Sequence, residues 1–453
     1  MENNLLKNRF SRTVRKVWGI FFLATALLIL SLAACVPFIY EAQTLGYQFG
    51  ISRTLLQTGH VMGTAAAAFI FLQLVLIARI KFLDRIFSVN RMLSQHRINA
   101  VIILILVSSH FILILNILGA ETLALDVRQW PEFTGLLVLM MLTFIVAAGL
   151  LRKYIGLSFR FWMFSHRVFT PVAVMLMCIH VYFVSDTFHY GNAHFLIICF
   201  FVSCFLVYIV NRLIKLSAFK YAYRVESVRL AGNNIYTLEL LPEKNRRIVN
   251  IPGQFAFVKF KSANISGEEH PFTVSSSPTR SPDLQFTIRS SGDWTEKIRF
   301  LNKGDKAFIS ESFGIFGHLD MNSSGEMIMI AGGIGITPML SILRYLLDVK
   351  SSRKIKLLWS VRTHKEIVYP DEFSNMEENL PGLTVNYVFT REEGRKRNAG
   401  RFDRDNLKTL TSGCSRDSII LLCGPPGMMF QVKKILISLG FPQKSIITER
   451  FSF

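Results

Sequence analysis

Four histidines at one repeated spacing are the first residues in this chain with a chemistry to offer. His96 and His110 are fourteen positions apart, and so are His166 and His180. On an α-helix, fourteen residues rise about 21 Å and turn about 1400°, some 40° short of four full turns, so each pair lies on one face. His110 and His180 fall inside apolar stretches and His96 and His166 at the start of the same two, where an imidazole is costly enough to imply a function. Two parallel helices of this kind can set His96 opposite His166 and His110 opposite His180. Each opposed pair can then clamp one metal from both sides, and a b-type haem is the group that suits two axial imidazoles in an apolar bundle. Iron held this way has no open position, which favours electron transfer over oxygen binding at the metal. Scattered hydrogen-bonded histidines, or a proton relay, are the alternative. Arg97 and Arg167, each following the inner histidine, read either as haem propionate partners or as interfacial anchors. His60 has no partner at this spacing and reads as a packing or polar residue. His189 and His194 read as loop residues, with a weak metal or acceptor site as the alternative.

A second set of residues lies in the other half of the chain. Strand-like Met327–Ala331 leads into Gly332-Gly333-Ile334-Gly335-Ile336-Thr337-Pro338 and then a helix, a turn that lets backbone N–H groups approach a pyrophosphate. Pro338 stands where the dinucleotide fingerprint would have its third glycine. The next strand, Ile355–Trp359, ends in Ser360 and Arg362 and lacks the acidic residue that would grip a free ribose 2′-hydroxyl, which favours NADPH over NADH. Arg395-Lys396-Arg397 reads as a solvated loop that can assist. A third strand, Ile419–Leu422, runs into Cys423-Gly424-Pro425-Pro426-Gly427-Met428.

These segments, with Pro252-Gly253-Gln254-Phe255 and His270-Pro271-Phe272-Thr273, resemble the ferredoxin–NADP reductase superfamily. The histidine that opens HPFT, together with Arg289 and Gly292-Asp293-Trp294-Thr295-Glu296, is similar to the version found in NADPH oxidases and transmembrane ferric reductases of bacterial type. The resemblance implies FAD bound by His270, Pro271, Phe272, Thr273, Arg289, Gly292, Trp294 and Thr295. Thr273 would bond the flavin edge, and Arg289 with Thr295 the pyrophosphate. It implies NADPH bound by Gly332, Gly333, Gly335, Thr337, Pro338, Ser360, Arg362, Gly424 and Pro425, with Cys423 beside the nicotinamide. It also implies a near-terminal aromatic stacked on the flavin. Glu449-x-Phe451 fits that pattern, and two further residues leave Phe453 as a competitor.

The elements that must position these residues are of two kinds. Half of the 453 residues are hydrophobic, mean hydropathy is +0.36, and apolar stretches of spanning length lie at about 17–40, 54–78, 98–119, 133–151, 168–184 and 194–211. The net charge of +20 sits largely beside these stretches, as in a membrane protein rather than a nucleic-acid binder. Basic residues mark the N-terminus, the second-to-third and fourth-to-fifth connections and the exit of the last span, so both termini are expected in the cytosol, of a bacterial inner membrane. The first apolar run lacks a cleavage site and reads as a retained helix. Beyond residue 221 short alternating segments broken by Pro and Gly read as strands, and from about 325 strands and helices alternate. The expected fold is a six-helix transmembrane bundle (1–216), a β-barrel FAD-binding domain (217–322) and an α/β nucleotide-binding domain (323–453). The six cysteines have neither zinc nor iron–sulfur spacing.

The function expected is electron transfer from cytosolic NADPH, through FAD and two b-type haems, to O2 to give superoxide. Transfer to an Fe(III) chelate is the alternative. Arg53, at the outer end of the second span, reads as an interfacial anchor or as an aid to a small anion. No obligate protein partner is evident; the third possibility is a haem-free channel fused to a reductase-like regulator.

Overall fold

The computed structural model describes residues 12–40, 50–78, 80–119, 129–152, 154–184, 191–244, 246–279, 283–314, 316, 325–391 and 401–449. Among these, six helices are long and apolar enough to cross a membrane. They are α1 (Arg12–Ile39), α2 (Gly50–Leu76), α4 (Val89–Leu118), α5 (Trp130–Leu151), α6 (Phe159–Val184) and α7 (Gly191–Ala218), with a short α3 (Lys81–Phe87) between the second and third spans. Ile105, Met140 and Phe205 are 60%, 61% and 63% exposed, so the bundle turns its apolar side chains outward, as lipid requires. Inside, Ile70, Ile103, Val138 and Met177 from four helices pack together. Asn211 Nδ2 donates to the Leu74 carbonyl at 2.7 Å, tying α7 to α2.

The helices outrun the apolar stretches. The third and fifth apolar stretches, expected from about residues 98 and 168, belong to helices that begin at Val89 and Phe159. Hydropathy sees only the part of a helix that lies in lipid. The backbone bonds continue through Asn90, Arg91 and Gln95, whose polar side chains suit an interfacial turn.

Two compact units are present. One comprises Arg12–Ile80 and Arg91–Ile214; the other, among the described residues, comprises Lys81–Asn90 and the chain from Lys215 onward. The second unit opens with six antiparallel strands: β1 (Tyr221–Gly232), β2 (Ile235–Pro242), β3 (Phe255–Lys261), β4 (His270–Thr273), β5 (Leu284–Arg289) and β6 (Lys306–Phe313). Their order is β4-β3-β6-β1-β2-β5, an open series whose two ends meet at a single bridge, Val274 to Phe286. Alternate residues such as Leu238, Leu240, Ala256, Val258, Ala307 and Ile309 point to a common interior, the period of two expected of strands with one buried face.

A parallel sheet follows, in the order β11-β10-β7-β8-β9: β7 (Met327–Gly332), β8 (Ile355–Val361), β9 (Leu383–Phe389), β10 (Ile419–Cys423) and β11 (Ile446–Glu449). Helices α8 (Thr337–Asp348) and α9 (Pro370–Asn379) contribute to one core, and α10 (Arg404–Leu410) and α11 (Pro426–Ser438) to the other. Met327, Met329 and Ala331 of β7 face the first core, Ile328 and Ile330 the second. Burial on both faces explains why β7 is apolar throughout.

The two sheets are joined by a charge that single-residue inspection passes over. Arg344 of α8 is 5% exposed and grips the Glu372 carboxylate with Nε and Nη2 at 2.6 and 2.7 Å. Its Nη1 donates to the Ser275 carbonyl at 2.9 Å and to Gln285 Oε1 at 3.0 Å, and its guanidinium lies over the Tyr369 ring. Planar bidentate pairing is the geometry in which a buried arginine repays its desolvation.

Candidate functional site

The bundle brings the four histidines together as two opposed pairs, each ring half-buried. His96 and His166 have ring centres 6.2 Å apart with planes at 85°, and His110 and His180 have ring centres 6.4 Å apart at 80°. A metal–imidazole bond is about 2.0–2.1 Å. A five-membered ring with sides of about 1.33 Å puts its nitrogen about 1.1 Å from the centre. Two imidazoles sharing one iron would therefore have ring centres about 6.4 Å apart, close to the 6.2 and 6.4 Å of the two pairs.

The outer pair is braced by a device repeated on two helices. His110 Nδ1 lies 2.8 Å from the Gly59 carbonyl, and His180 Nδ1 lies 2.9 Å from the Pro131 carbonyl. A carbonyl can only accept, so Nδ1 carries the proton and the Nε2 lone pair is left for a metal, the arrangement found in metal-ligating histidines. One turn after each carbonyl stands a glycine under the ring. A Cβ at Gly63 would be 3.1 Å from His110 Nδ1, and one at Gly135 would be 2.4 Å from His180 Cε1. The inner pair is held differently: Gln73 Nε2 donates to the His96 carbonyl at 2.9 Å, and Trp162, one turn before His166, stacks on its ring at 5.8 Å.

In the second unit the HPFT strand pairs with the PGQF strand, Thr273 against Phe255 and His270 against Val258. Pro271 faces Phe257 and Phe272 faces Ala256, leaving Pro271 and Phe272 half-buried at the sheet's edge strand. The His270 ring lies 4.0 Å from that of Trp294, and Phe272 stacks on Trp294 at 5.8 Å. Trp294 is 7% exposed and donates Nε1–H to the Ser266 carbonyl at 2.9 Å, so it is the floor of this aromatic group. Burial pushes the His270 imidazole below its ordinary value, against the pull of Glu268 at 3.5 Å. The Thr295 hydroxyl is engaged locally, donating to the Gly292 carbonyl and accepting from the Ser291 N–H, both at 2.9 Å. Arg289 is ion-paired with Glu366 at 2.9 Å and reaches the loop at Gly333.

The nucleotide-binding turns meet at the carboxyl ends of β7 and β10. Cys423 is paired in register with Ala331 on one side and Glu449 on the other. Cys423 is fully buried and Glu449 is 1% exposed; burial first, then the Glu449 charge, push the Cys423 thiol well up. A Cβ on Gly335 would come within 2.5 Å of the Cys423 carbonyl, and one on Gly332 within 2.6 Å of Met428 Sδ. Thr337 Oγ1 donates to the Ile334 carbonyl at 3.1 Å, and Pro338 occupies the first turn of α8, where its missing N–H costs nothing. Ser360 pairs with Gly332 at the end of β8 and is buried, while Arg362 beyond it is exposed. Gly424 and Pro425 form the turn into α11. Phe451, Phe453, His189 and Arg395–Arg397 lie outside the described residues. Sequence reasoning missed Arg344, Asp84 and the two glycine shelves. The only prior signal for the last was the small residue four positions after Gly59, a pattern that permits close helix approach.

Comparison with known proteins divides the chain in three. Residues 62–177 match the ferric reductase like transmembrane component, residues 220–312 an FAD-binding domain, and residues 329–434 the oxidoreductase NAD-binding domain. The gamma subunit of sulfhydrogenase 2 from Pyrococcus furiosus is 29% identical over 200 residues, 42% of this chain and 67% of that protein. Dual oxidase 2 of Rattus norvegicus is 27% identical over 267 residues, 55% of this chain; the match spans 17% of the oxidase's own length. A flavohemoglobin structure from Malassezia yamatoensis shares the fold at a TM-score of 0.50, with 17% identity, covering 88% of this chain and 98% of that one.

Proposed function

Because the chain is a membrane-embedded NAD(P)H-dependent oxidoreductase that matches the NADPH oxidase and ferric reductase family, we propose that it carries electrons from cytosolic NADPH across a bacterial inner membrane to O2, giving superoxide. When bound, FAD would take up two electrons as hydride and two b-type haems would pass them on singly. The observation that carries this reading is the pair of crossed imidazole couples at 6.2 and 6.4 Å in a chain that also holds the flavin and nicotinamide segments.

Each residue then has a task. His96 with His166, and His110 with His180, would supply the imidazole nitrogens that hold the two haems, the outer two with their tautomer set by backbone carbonyls. Phe272, backed by Trp294, would offer a flat apolar face to the flavin, and Thr273 its hydrogen bond at the ring edge. Gly332, Gly333 and Gly335 would let the backbone approach the dinucleotide pyrophosphate at the start of α8. Ser360 and Arg362 would receive a 2′-phosphate. Cys423 would shape an apolar wall at the nicotinamide, beside the Glu449 carboxylate.

The match to a ferric reductase like component favours a second reading in which the acceptor is an Fe(III) chelate. One experiment addresses both. Purified protein should contain two haems and one FAD per chain, and NADPH-driven dye reduction should be suppressed by superoxide dismutase. Ferric reduction that proceeds equally without oxygen, with no dismutase-sensitive signal, would replace O2 by the chelate. A dithionite-reduced spectrum without b-type bands would remove the haem path altogether.

A further inference from the structure

Asp84 lies on the short connection between the second and third spans, yet it is one of the most buried carboxyls in the chain, at 2% exposure. Its two oxygens have different partners. Oδ1 accepts the Val89 N–H at 2.9 Å, at the first residue of the helix that carries His96 and His110. Oδ2 accepts the Gly314 N–H at 3.3 Å, at the end of β6. Gly314 has φ +115°, and a Cβ there would sit 2.6 Å from Glu449 Oε1 and 3.3 Å from the Phe255 ring, so its backbone lies directly on the carboxylate beside Cys423. An ion pair flanks it on the same connection, Lys81 to Glu311 of β6 at 3.2 Å, and the same carboxylate takes Lys220, beyond the last span, at 2.8 Å.

We infer that Asp84 is a positioning residue for the flavin–nicotinamide site, tying the connection between spans two and three to Gly314 and thereby fixing the backbone against which Glu449 lies. The inference rests on the oxidoreductase reading above, and it assigns a residue of the connection between spans two and three, which belongs to the same compact unit as the two sheets, to that unit's chemistry. A buried carboxyl is costly, and burial pushes Asp84 upward, opposed by its two backbone donors and by Lys81 and Arg85. An isolated helix cap needs only one oxygen and no burial. Here the second oxygen is spent on a loop from a distant part of the chain, more than two hundred residues away. Asparagine can keep one of the two bonds but must turn its NH2 toward the other N–H; alanine keeps neither.

The test uses full-length holoprotein carrying Asp84→Ala or Asp84→Asn, with two readouts. Anaerobic stopped-flow should show the limiting rate of flavin reduction by NADPH lowered about tenfold in Asp84→Ala, the scale expected from a sub-ångström displacement at a reacting site. Asp84→Asn should fall between, with FAD content and KM for NADPH unchanged. Hydrogen exchange on the same holoprotein should show a peptide containing Gly314 losing protection in the same order. If Asp84→Ala does not assemble, Asp84→Asn carries the test on both readouts. An unchanged limiting rate, or unchanged exchange at Gly314, with only a lower melting temperature, makes Asp84 a helix cap and overturns the inference. Wild-type protein whose flavin NADPH cannot reduce would sink the oxidoreductase reading instead, a result separable from either.

Discussion

Replacing Gly135 by alanine isolates the outer imidazole pair from everything else in the chain. The added Cβ would stand 2.4 Å from His180 Cε1, 2.7 Å from Nδ1 and 2.9 Å from Nε2. Carbon atoms in contact settle near 3.5–4.0 Å, so the ring must retreat by about 1 Å. Overpacking of this kind costs about 1–3 kcal/mol. The retreat also stretches the 2.9 Å bond from Nδ1 to the Pro131 carbonyl, adding about 0.5–1.5 kcal/mol. The total, about 1.5–4.5 kcal/mol, disfavours the ligating orientation of His180 by roughly 10- to 2000-fold. The alkaline pyridine haemochrome assay on Gly135→Ala should therefore read one haem per chain instead of two, while NADPH still reduces FAD. Gly63→Ala is the control: its Cβ would meet His110 at 3.1 Å, a contact that a few tenths of an ångström relieve, so both haems should be retained. Two haems with an unaltered reduced spectrum in Gly135→Ala would refute the assignment of His180 as a ligand.

Three further outcomes are expected. Gly335→Ala sets a Cβ 2.5 Å from the Cys423 carbonyl, with backbone on both sides of the clash; NADPH binding measured by flavin-reduction kinetics should be lost, and an unchanged KM would count against the turn as the dinucleotide site. Arg362→Ala should raise KM for NADPH about tenfold, the cost of one charge-assisted contact of 1.4 kcal/mol, and leave KM for NADH unchanged; equal effects on both would remove Arg362 from 2′-phosphate recognition. The His270 imidazole is depressed below its ordinary 6.5 by burial, so the folded state prefers the neutral ring. Its contribution is intact above pH 6.5 and is lost as pH falls below that value. The melting temperature should drop between pH 6.5 and 5.5 in the wild type and drop less in His270→Gln; parallel slopes would contradict this.

How much of this was legible in the sequence depended on whether one chain segment contained the whole signal. The turn from Gly332 to Pro338 could be read because strand, glycines and helix are contiguous, and the glycine requirement is enforced by Cys423, itself inside a recognisable run. The histidine pairs could be read because a helix is rigid enough to convert spacing into direction. Helix ends could not be placed from hydropathy, since Val89 and Phe159 begin turns that only backbone bonds sustain. Arg344 and Asp84 were invisible for a different reason. Each is a lone charge whose meaning lies in partners far along the chain, Ser275 and Glu372 for one, Gly314 for the other.

Gly135 shows where the two kinds of information meet. The fourteen-residue offset puts His180 on the right face but says nothing of the ring's rotation about its own side chain. That rotation is set by the Pro131 carbonyl and by the space over Gly135, one turn on, on a neighbouring helix. A chain with alanine at 135 would have the same histidine spacing, the same hydropathy and the same charge pattern, and would have been read identically. It would nonetheless present an imidazole pushed out of the orientation that a shared iron would require. Spacing is thus necessary for the outer couple, and the small residue opposite is what makes it sufficient.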